Sequence, residues 1–372
     1  MDPASWGLVL LAMAAGSVSA LPVAGLIIRK FGEKQVVRYG SILAGLALAG
    51  IGLGYVGGVV PVVISLYLLG FGVGAWDVAM NVQGTAVEYR LRRAIMPRFH
   101  AGFSVGTVAG ALLGALLIQL GVGIAANLVA VGVLVAVAVA IQAAGFLSAG
   151  RAPQDDAPVG SLADTQADPA DSALPEGPGP ATLTLQEAWL EPRTLLVGLS
   201  VMIFAFTEGT AIDWVGVALV EDYGTAVAMG TLGLATFLTT MTLSRWFGTE
   251  LLDRFGRVAV LRTQAAVALL GVLVFVFSGN VALAFVGVAL WGFGASLGFP
   301  VGMSAGGDDQ RNAPVRVSVI ATIGYISFLA GPPLVGALGQ SVGVLWALMS
   351  VAAVLPIAFL IAGALRRPEV PA

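Results

Sequence analysis

Three carboxylic acids lie within long apolar stretches of the sequence, where an ionised side chain is costly. They are Asp77, Glu208 and Asp213. An acid at the centre of a membrane-spanning helix costs about 2.5–3.5 kcal/mol on insertion scales. Such a residue is kept for binding protons, ions or polar solutes, or because it hydrogen-bonds to a neighbouring helix.

Glu208 is the sharpest candidate. Its apolar stretch begins near Thr194, about fourteen residues earlier, which at roughly 1.5 Å per residue places it about 21 Å deep. We expect no Lys or Arg near it, since we assign all 18 basic residues to the gaps between spans. An unpaired carboxyl group at this depth favours its protonated form and could load and release a proton. The alternative is a structural hydrogen bond to a neighbouring helix.

Asp213 follows Glu208 at an angle of about 140° round a regular helix, so the two cannot share one face. It lies near the outer surface, where water lowers its cost. Trp214 beside it is typical of an interfacial aromatic belt. We therefore favour a solvated Asp213, with a role in an outer gate as the alternative.

A second polar group precedes these residues in the sequence. Asp77 and Asn81 share one helix face, and His100 and Ser104 share a face of the next span. The four could converge near the inner side of the membrane. A carboxylate–imidazole pair there could relay protons, or it could lock two helices together at a cytoplasmic gate.

A stripe of hydroxyl groups at helical spacing is formed by Ser318, Thr322 and Tyr325. The Tyr hydroxyl could bind a polar substrate. Alternatively, the hydroxyls bond back to their own helix.

The composition indicates that these residues sit in a membrane. Of 372 residues, 58% are hydrophobic and only 10% charged, whereas soluble domains are about 25% charged. With no Cys and one His, we expect no metal centre and no cofactor. We expect no nucleic-acid partner either, and a monomer in the lipid bilayer.

The apolar stretches predict an all-α membrane protein with eleven spans. Basic residues occur in every second gap, and basic loops stay in the cytoplasm. This predicts the cytoplasmic (inner or plasma) membrane, with the C-terminus inside and the N-terminus outside. The predicted spans are 6–28, 39–57, 60–85, 100–119, 122–147, 194–219, 225–247, 259–278, 280–304, 317–338 and 342–364.

The segment 148–193 divides the chain into a five-span bundle, 1–147, and a six-span bundle, 194–372. It is acidic and rich in Pro, Ala and Gly, which is typical of a disordered cytoplasmic linker. Thr184 and Glu187 have the spacing of a capping box, which predicts a short interfacial helix at its end.

Two further patterns concern packing and charge. Gly106, Gly110 and Gly114 form a ridge of small residues that predicts close contact with a partner helix. Glu88 and Arg92 have the spacing of an ion pair on a helix, which we expect to be solvated at the membrane edge. The alternative is a bridge to Arg29 or Lys30 when the cytoplasmic side closes.

An internal repeat supports two homologous halves. Phe31, Gly32 and Arg38 recur as Phe255, Gly256 and Arg262 at a constant offset. The loop resembles the signature loop of the major facilitator superfamily, usually G-x-x-x-D-R-x-G-R-R/K. The second copy keeps Asp253, Arg254, Gly256 and Arg257. The first keeps Gly25, Lys30 and Gly32 but has Arg29 where the family has Asp, a departure that bears on the usual Asp-based gating contact.

A longer stretch is similar to YbjJ-like inner-membrane proteins, distant relatives of fucose permeases. The matching segments are 74–84 (GAWDVAMNVQG), 96–106 (MPRFHAGFSVG), Glu208-Gly209, Asp213-Trp214 and Gly331-Pro332-Pro333. The resemblance implies a two-bundle helical fold of twelve helices around a central cavity that opens alternately to each side. The chain lacks the first of these helices, so we expect about 30 more coding residues with an apolar span before Met1.

These observations predict a secondary active transporter, not an enzyme, that moves a small solute by alternating access. It would be a symporter or antiporter if protons couple through Glu208. The proton or substrate pathway would comprise Glu208, Asp77, Asn81, Tyr325, Thr322, Asp213 and Trp214. The cytoplasmic gate would comprise His100, Ser104, Gly32, Lys30, Asp253, Arg254, Gly256 and Arg257. The alternatives are a ligand-binding sensor that transports nothing and an inactive truncated transporter. The expected absence of Lys and Arg inside the spans argues against a multiply anionic solute.

Overall fold

The chain folds into long α-helices. The computed structural model describes residues 3–54, 58–147 and 182–368, and these contain no β-strand. The N-terminal half comprises α1 (Pro3–Phe31), α2 (Glu33–Gly54), α3 (Val59–Leu91), α4 (Met96–Gln119) and α5 (Ile124–Gln142). The C-terminal half comprises α6 (Leu185–Leu190), α7 (Pro192–Glu221), α8 (Val227–Phe277), α9 (Val281–Ala295), α10 (Gly298–Gly306), α11 (Ala313–Val342), α12 (Val344–Ala347) and α13 (Met349–Ile361).

The helices account for the predicted spans. Nine stretches of the described residues are long and apolar enough to cross a membrane. The longest, α8, turns at Gly256 and therefore holds two spans, and α4, with 24 residues, provides one more. Together they correspond to the eleven predicted spans. Most of the predicted disordered linker, 148–181, lies outside the described residues.

One end of the helix bundle carries the described Lys and Arg residues other than Arg245, and we call it the basic face. The repeated loops lie there and have matching geometry. Gly32 and Gly256 adopt φ values of 79° and 76°, which favour glycine because it lacks a Cβ. Lys30 stacks over the Phe31 ring at 5.2 Å, and Arg254 over Phe255 at 5.1 Å. The two loops are thus alike in structure as well as in sequence.

The short α6 forms at the position predicted from the capping box. The Thr184 hydroxyl accepts a hydrogen bond from the Glu187 backbone N–H, and the Glu187 carboxylate accepts one from the Thr184 N–H. Ala188 is fully buried against Val315 and Val319 of α11. This helix therefore anchors the start of the C-terminal half at the basic face.

Glycine allows α8 and α9 to cross at very short distance. A Cβ placed on Gly271 would lie 2.4 Å from the Trp291 backbone nitrogen and 2.7 Å from the Gly287 carbonyl oxygen. The Gly106–Gly110–Gly114 ridge on α4 is different, since no described atom lies within 4 Å of a Cβ placed there. The prediction that this ridge packs against a partner helix is not met within the described chain.

Gly271→Ala should destabilise the protein by about 1–3 kcal/mol, because the added methyl group would overlap backbone that cannot move aside. The apparent Tm in detergent measures this effect. Gly110→Ala introduces the same methyl group on an open helix face and is the matched control. Equal Tm values for the two variants would contradict the close crossing.

Candidate functional site

A buried ion pair lies in the interior of the C-terminal half. The Arg245 guanidinium donates to the Glu208 carboxylate, with 2.6 Å between Nη2 and Oε2, and their side chains are 4% and 13% exposed. Two predictions are therefore wrong: Glu208 does have a basic neighbour, and a span does contain an Arg. Helix α8 continues beyond its apolar run to Gly256, and this places Arg245 about 16 Å inside that turn.

Arg245 is held by two further contacts. Its Nε donates to the Ser296 carbonyl oxygen at 3.0 Å, and its Nη1 lies 3.3 Å from the Ser104 hydroxyl. The Ser296 carbonyl oxygen is available to Arg245 because the helix is interrupted at Ser296 and Leu297, between α9 and α10. Non-helical backbone at membrane depth needs such a partner. Since Ser104 belongs to α4, the guanidinium also connects the two halves.

A second polar contact joins the halves through α3 and α11. The Tyr325 hydroxyl donates to the Asp77 carboxylate at 3.1 Å, and both side chains are half-buried. These two residues were predicted as candidates on separate grounds, and the structure places them in direct contact. Asp77 carries no salt bridge to a described Lys or Arg. Its described side-chain partner is therefore a neutral hydroxyl group.

The residues Asp77, Asn81, His100 and Ser104 lie together, as predicted. Some of their hydrogen bonds are accepted by backbone carbonyl oxygens and not by side chains. The Asn81 amide donates to the Asp77 carbonyl oxygen at 2.9 Å and lies 3.3 Å from His100 Nε2. Ser104 donates to the His100 carbonyl oxygen. The Asp77 carboxylate contacts Tyr325, and it is Asn81 that contacts His100. The described contacts therefore do not include the direct carboxylate–imidazole pair that we hypothesised.

Phe299 links the two polar contacts. Its ring packs edge-on against His100 at 5.4 Å and against Tyr325 at 6.1 Å between centroids. Sequence reasoning missed Phe299 and Arg245. Two sequence features could have indicated them. Arg245 is followed by Trp246 and Phe247 in a largely apolar stretch, and Phe299 lies in a Gly-Phe-Pro sequence, which is typical of a helix break.

The other predicted pathway residues are not part of this group. Thr322 donates to the Ser318 carbonyl of its own helix, and Ser318 donates to the Leu21 carbonyl of α1. Asp213 is exposed. Trp214 is half-buried, with its ring 3.4 Å from a Cβ placed on Gly336.

Glu88 organises the contact between the halves at the basic face. It is 7% exposed and accepts from the backbone N–H groups of Ile95 and Met96 at 2.7 and 2.8 Å, and from the Ser304 hydroxyl. The predicted solvated pair with Arg92 is wrong, because Arg92 ends α3 in the left-handed conformation, with φ 51°. Glu88 instead joins the start of α4 to α10.

The predicted gate residues of the second loop lie beside Glu88. Arg257 donates to Ser304 at 2.7 Å and to the Asp308 carboxylate at 2.8 and 3.0 Å. Asp253 accepts from the Ala94 backbone N–H at 2.9 Å, across the junction between the halves. At the equivalent position of the first loop, Arg29 donates to the Leu183 carbonyl oxygen. Lys30 and Arg254 stack on their neighbouring Phe rings.

The hydrogen bonds between the two halves within the described ranges share one location. They lie at the level of Asp77 and Tyr325 or between that level and the basic face. They involve Ala94–Asp253, Arg98–Glu250, Arg98–Trp246, Ser104–Arg245, Glu88–Ser304, Thr85–Gln310, Leu21–Ser318 and Asp77–Tyr325. The structure is therefore closed at its basic face.

Two homologous helical halves that meet around buried polar residues define a multi-pass membrane transport protein. Residues 1–311 match the family model of the Major Facilitator Superfamily. The chain belongs to this superfamily, and it is a secondary active transporter. Its family and fold are those of transporters and not of enzymes.

Curated relatives agree with this assignment. An uncharacterized MFS-type transporter of Yersinia pestis is 28% identical over 91% of this chain and 81% of its own length. The uncharacterized transporter y4wD of Sinorhizobium fredii is also 28% identical, over 91% of this chain and 82% of its own.

Solved structures show the same fold. The transporter FucP in its outward conformation superposes with a TM-score of 0.77 at 16% identity, over all of this chain and 91% of that one. A variant of the Escherichia coli fucose:proton symporter FucP gives 0.73 at 17% identity, over 97% and 90% of the two chains. At this identity the similarity establishes the architecture.

Arg245→Gln should destabilise the protein by about 3–5 kcal/mol, because it leaves the Glu208 carboxylate buried without a charged partner. The double variant Glu208→Gln, Arg245→Gln should recover part of that loss, since neither charge remains. Thermal unfolding of the single and double variants in detergent measures the coupling. A double variant as unstable as the sum of the two single variants would contradict a direct pair.

Glu191, just before α7, makes an ion pair that should depend on pH. Burial favours its protonated form, but hydrogen bonds from Arg316 and Thr194 and the charges of Arg316 and Arg193 outweigh this, so its pKa is lowered. The pair therefore stabilises the fold above the unfolded pKa of about 4.3, and this contribution is lost as pH falls through the folded pKa.

Glu191→Gln should lower the apparent Tm at pH 7, and its difference from the wild type should shrink towards pH 4 and below, because protonation abolishes the same pair. Glu221→Gln, at an exposed acid on the opposite side of the bundle, is the control and should change little at either pH. A deficit of Glu191→Gln that persists undiminished at low pH would refute the ionic contribution.

Proposed function

We propose that this protein carries a small, neutral, polar solute by alternating access and couples its movement to protons at Asp77. The single observation that carries this proposal is the Asp77–Tyr325 contact. It places an acid without a described cationic partner at the junction of the two halves. The basic face is cytoplasmic in this proposal, the membrane is the cytoplasmic membrane, and the protein acts as a monomer. The bundles 1–147 and 194–372 are its moving units, joined by the linker 148–193.

Opening the basic face requires that the contacts between the halves separate. The bonds Tyr325–Asp77, Arg245–Ser104 and Ser304–Glu88 would break, while Glu208–Arg245 would stay intact because both residues belong to the C-terminal half. Asp77 and Glu88 would each lose a hydrogen-bond partner in the other half on opening. Glu208 would keep its partner Arg245.

The assignment of the proton carrier follows from these different surroundings. Glu208 is paired with a guanidinium group of its own half, and this pair would stay together when the halves separate. Asp77 faces a neutral hydroxyl, so protonation changes the net charge of the junction. We therefore move the proposed proton site from Glu208 to Asp77. A structural relative is described as a fucose:proton symporter, which supports proton coupling in this fold.

The chemistry around Asp77 favours a neutral solute. Arg245 is neutralised by Glu208, so the described residues around Asp77 offer no unpaired cation to an anionic solute. Tyr325, His100 and Phe299 instead offer hydroxyl, imidazole and aromatic surfaces. Hydrogen-bonding groups beside an aromatic ring suit a sugar or similar polyhydroxylated molecule. A structural relative described as a fucose:proton symporter supports this class.

A ligand-binding sensor is the main alternative. Both functions require the central site, but only a transporter exchanges solute across a sealed membrane. The first step is a panel of sugars and other neutral solutes tested for thermal stabilisation of the purified protein. The best ligand is then used in proteoliposomes. Binding without exchange of labelled solute would favour the sensor.

Asp77→Asn should abolish accumulation of that solute driven by a pH gradient and preserve counterflow exchange, since the amide keeps the shape of the side chain but cannot load a proton. Both are measured as uptake of labelled solute into proteoliposomes. Asn81→Asp, which adds an acid one helical turn away, is the control for a local change in charge. Gradient-driven accumulation by Asp77→Asn at the wild-type level would refute the proton role of Asp77.

A further inference from the structure

A cavity of about 590 Å³ opens at the basic face, away from the central site. The end of α3 and the loop after it contribute one wall, which belongs to the N-terminal half. The other walls come from the C-terminal half: the turn of α8 at Gly256, part of α10, and the segment that follows α13. The cavity therefore exists only where the two halves meet.

The charge of the cavity is strongly positive. Five arginines line it, Arg92, Arg93, Arg257, Arg366 and Arg367, against the two acids Glu88 and Asp253. Both acids are already engaged by backbone N–H groups at 2.7 to 2.9 Å. Among the arginines, Arg257 is paired with Asp308, and Arg93 lies 3.5 Å from Asp253. Arg92, Arg366 and Arg367 are exposed and make no salt bridge to an acid of the described chain.

The backbone at Arg92 gives an independent indication of a binding role. Arg92 is the non-glycine residue with positive φ, 51°, within the described ranges. Glycine adopts this conformation without the steric cost that a side chain incurs. An arginine at this helix end therefore accepts strain while its guanidinium lines the cavity, and such strain concentrates at binding sites.

We propose that this cavity binds a phosphate-bearing anion that bridges the two halves. Guanidinium groups bind phosphate oxygens through paired hydrogen bonds, and several arginines around one cavity suit a multiply charged anion. The volume suits a diphosphate or a small organic phosphate. The same chemistry is offered by a soluble phosphate compound and by the headgroup of an anionic phospholipid. Because both halves supply arginines, the bound anion stabilises the state that is closed at the basic face.

Binding of pyrophosphate to the purified full-length chain tests this proposal, and its outcome does not depend on the transport cycle. Titration calorimetry at fixed salt should show saturable binding. Arg366→Ala, Arg367→Ala should weaken it by roughly tenfold or more, as expected for lost charge-assisted hydrogen bonds. Arg38→Ala, Arg90→Ala removes two charges from the same face outside the cavity and should leave the affinity nearly unchanged.

Arg92→Gly provides a second variant that does not compromise folding. It removes a guanidinium and relieves the strained backbone, so it should weaken binding without lowering the apparent Tm. Nanodiscs of phosphatidylcholine with and without phosphatidylglycerol test the lipid source. A headgroup is identified if phosphatidylglycerol stabilises the wild type and the control variant but not Arg366→Ala, Arg367→Ala. A soluble anion is identified if pyrophosphate binds and phosphatidylglycerol does not stabilise the protein. Equal losses in the cavity and control variants, or no effect of either ligand, would overturn the proposal.

Discussion

The buried pair of Glu208 and Arg245 is the interaction on which the rest of the structure depends. Either charge alone would be costly to bury at this depth, and the attraction between them offsets the desolvation cost only when the remaining polar atoms are also satisfied. The break between α9 and α10 supplies a backbone carbonyl for this purpose, and Ser104 supplies a hydroxyl from the other half. A helix break that would otherwise be unfavourable in a membrane is thus explained by the charge that it stabilises.

The central site consequently contains two acids of opposite character. Glu208 has a cationic partner within its own half, whereas the described side-chain partner of the Asp77 carboxylate is a neutral hydroxyl from the opposite half. A charge that is neutralised locally can move with its half at little cost. A charge that faces the junction changes the energy of that junction when it titrates. The two acids therefore differ in their surroundings, although both were selected from the sequence as acids within apolar spans.

The sequence predicted the helical spans, the repeated loops and α6 because each rests on local rules: apolar length, a glycine turn and a capping box. It also selected Asp77, Tyr325 and His100 as candidates, although their contacts are long-range. Arg245 was missed because hydropathy marks where an apolar run ends, while the helix itself continues to Gly256. The predicted Glu88–Arg92 pair was wrong because the i, i+4 spacing assumes a regular helix through both residues. Arg92 instead ends α3 in the left-handed conformation. The open Gly106–Gly114 ridge shows that a small-residue pattern permits close packing but does not supply the partner.

The exchange of Asp for Arg between the two repeated loops has a consequence for the energy landscape of the protein. Two identical halves would contribute equal contacts to the closure of the basic face, because both repeated loops lie there. Here Asp253 accepts a backbone N–H of the other half, while Arg29 reaches a carbonyl of the segment that precedes α6. The segment that precedes α6 thus takes part in the contacts of the first loop. Opening of the basic face would therefore involve two different separations, one between the halves at the second loop and one between the first loop and the segment that precedes α6.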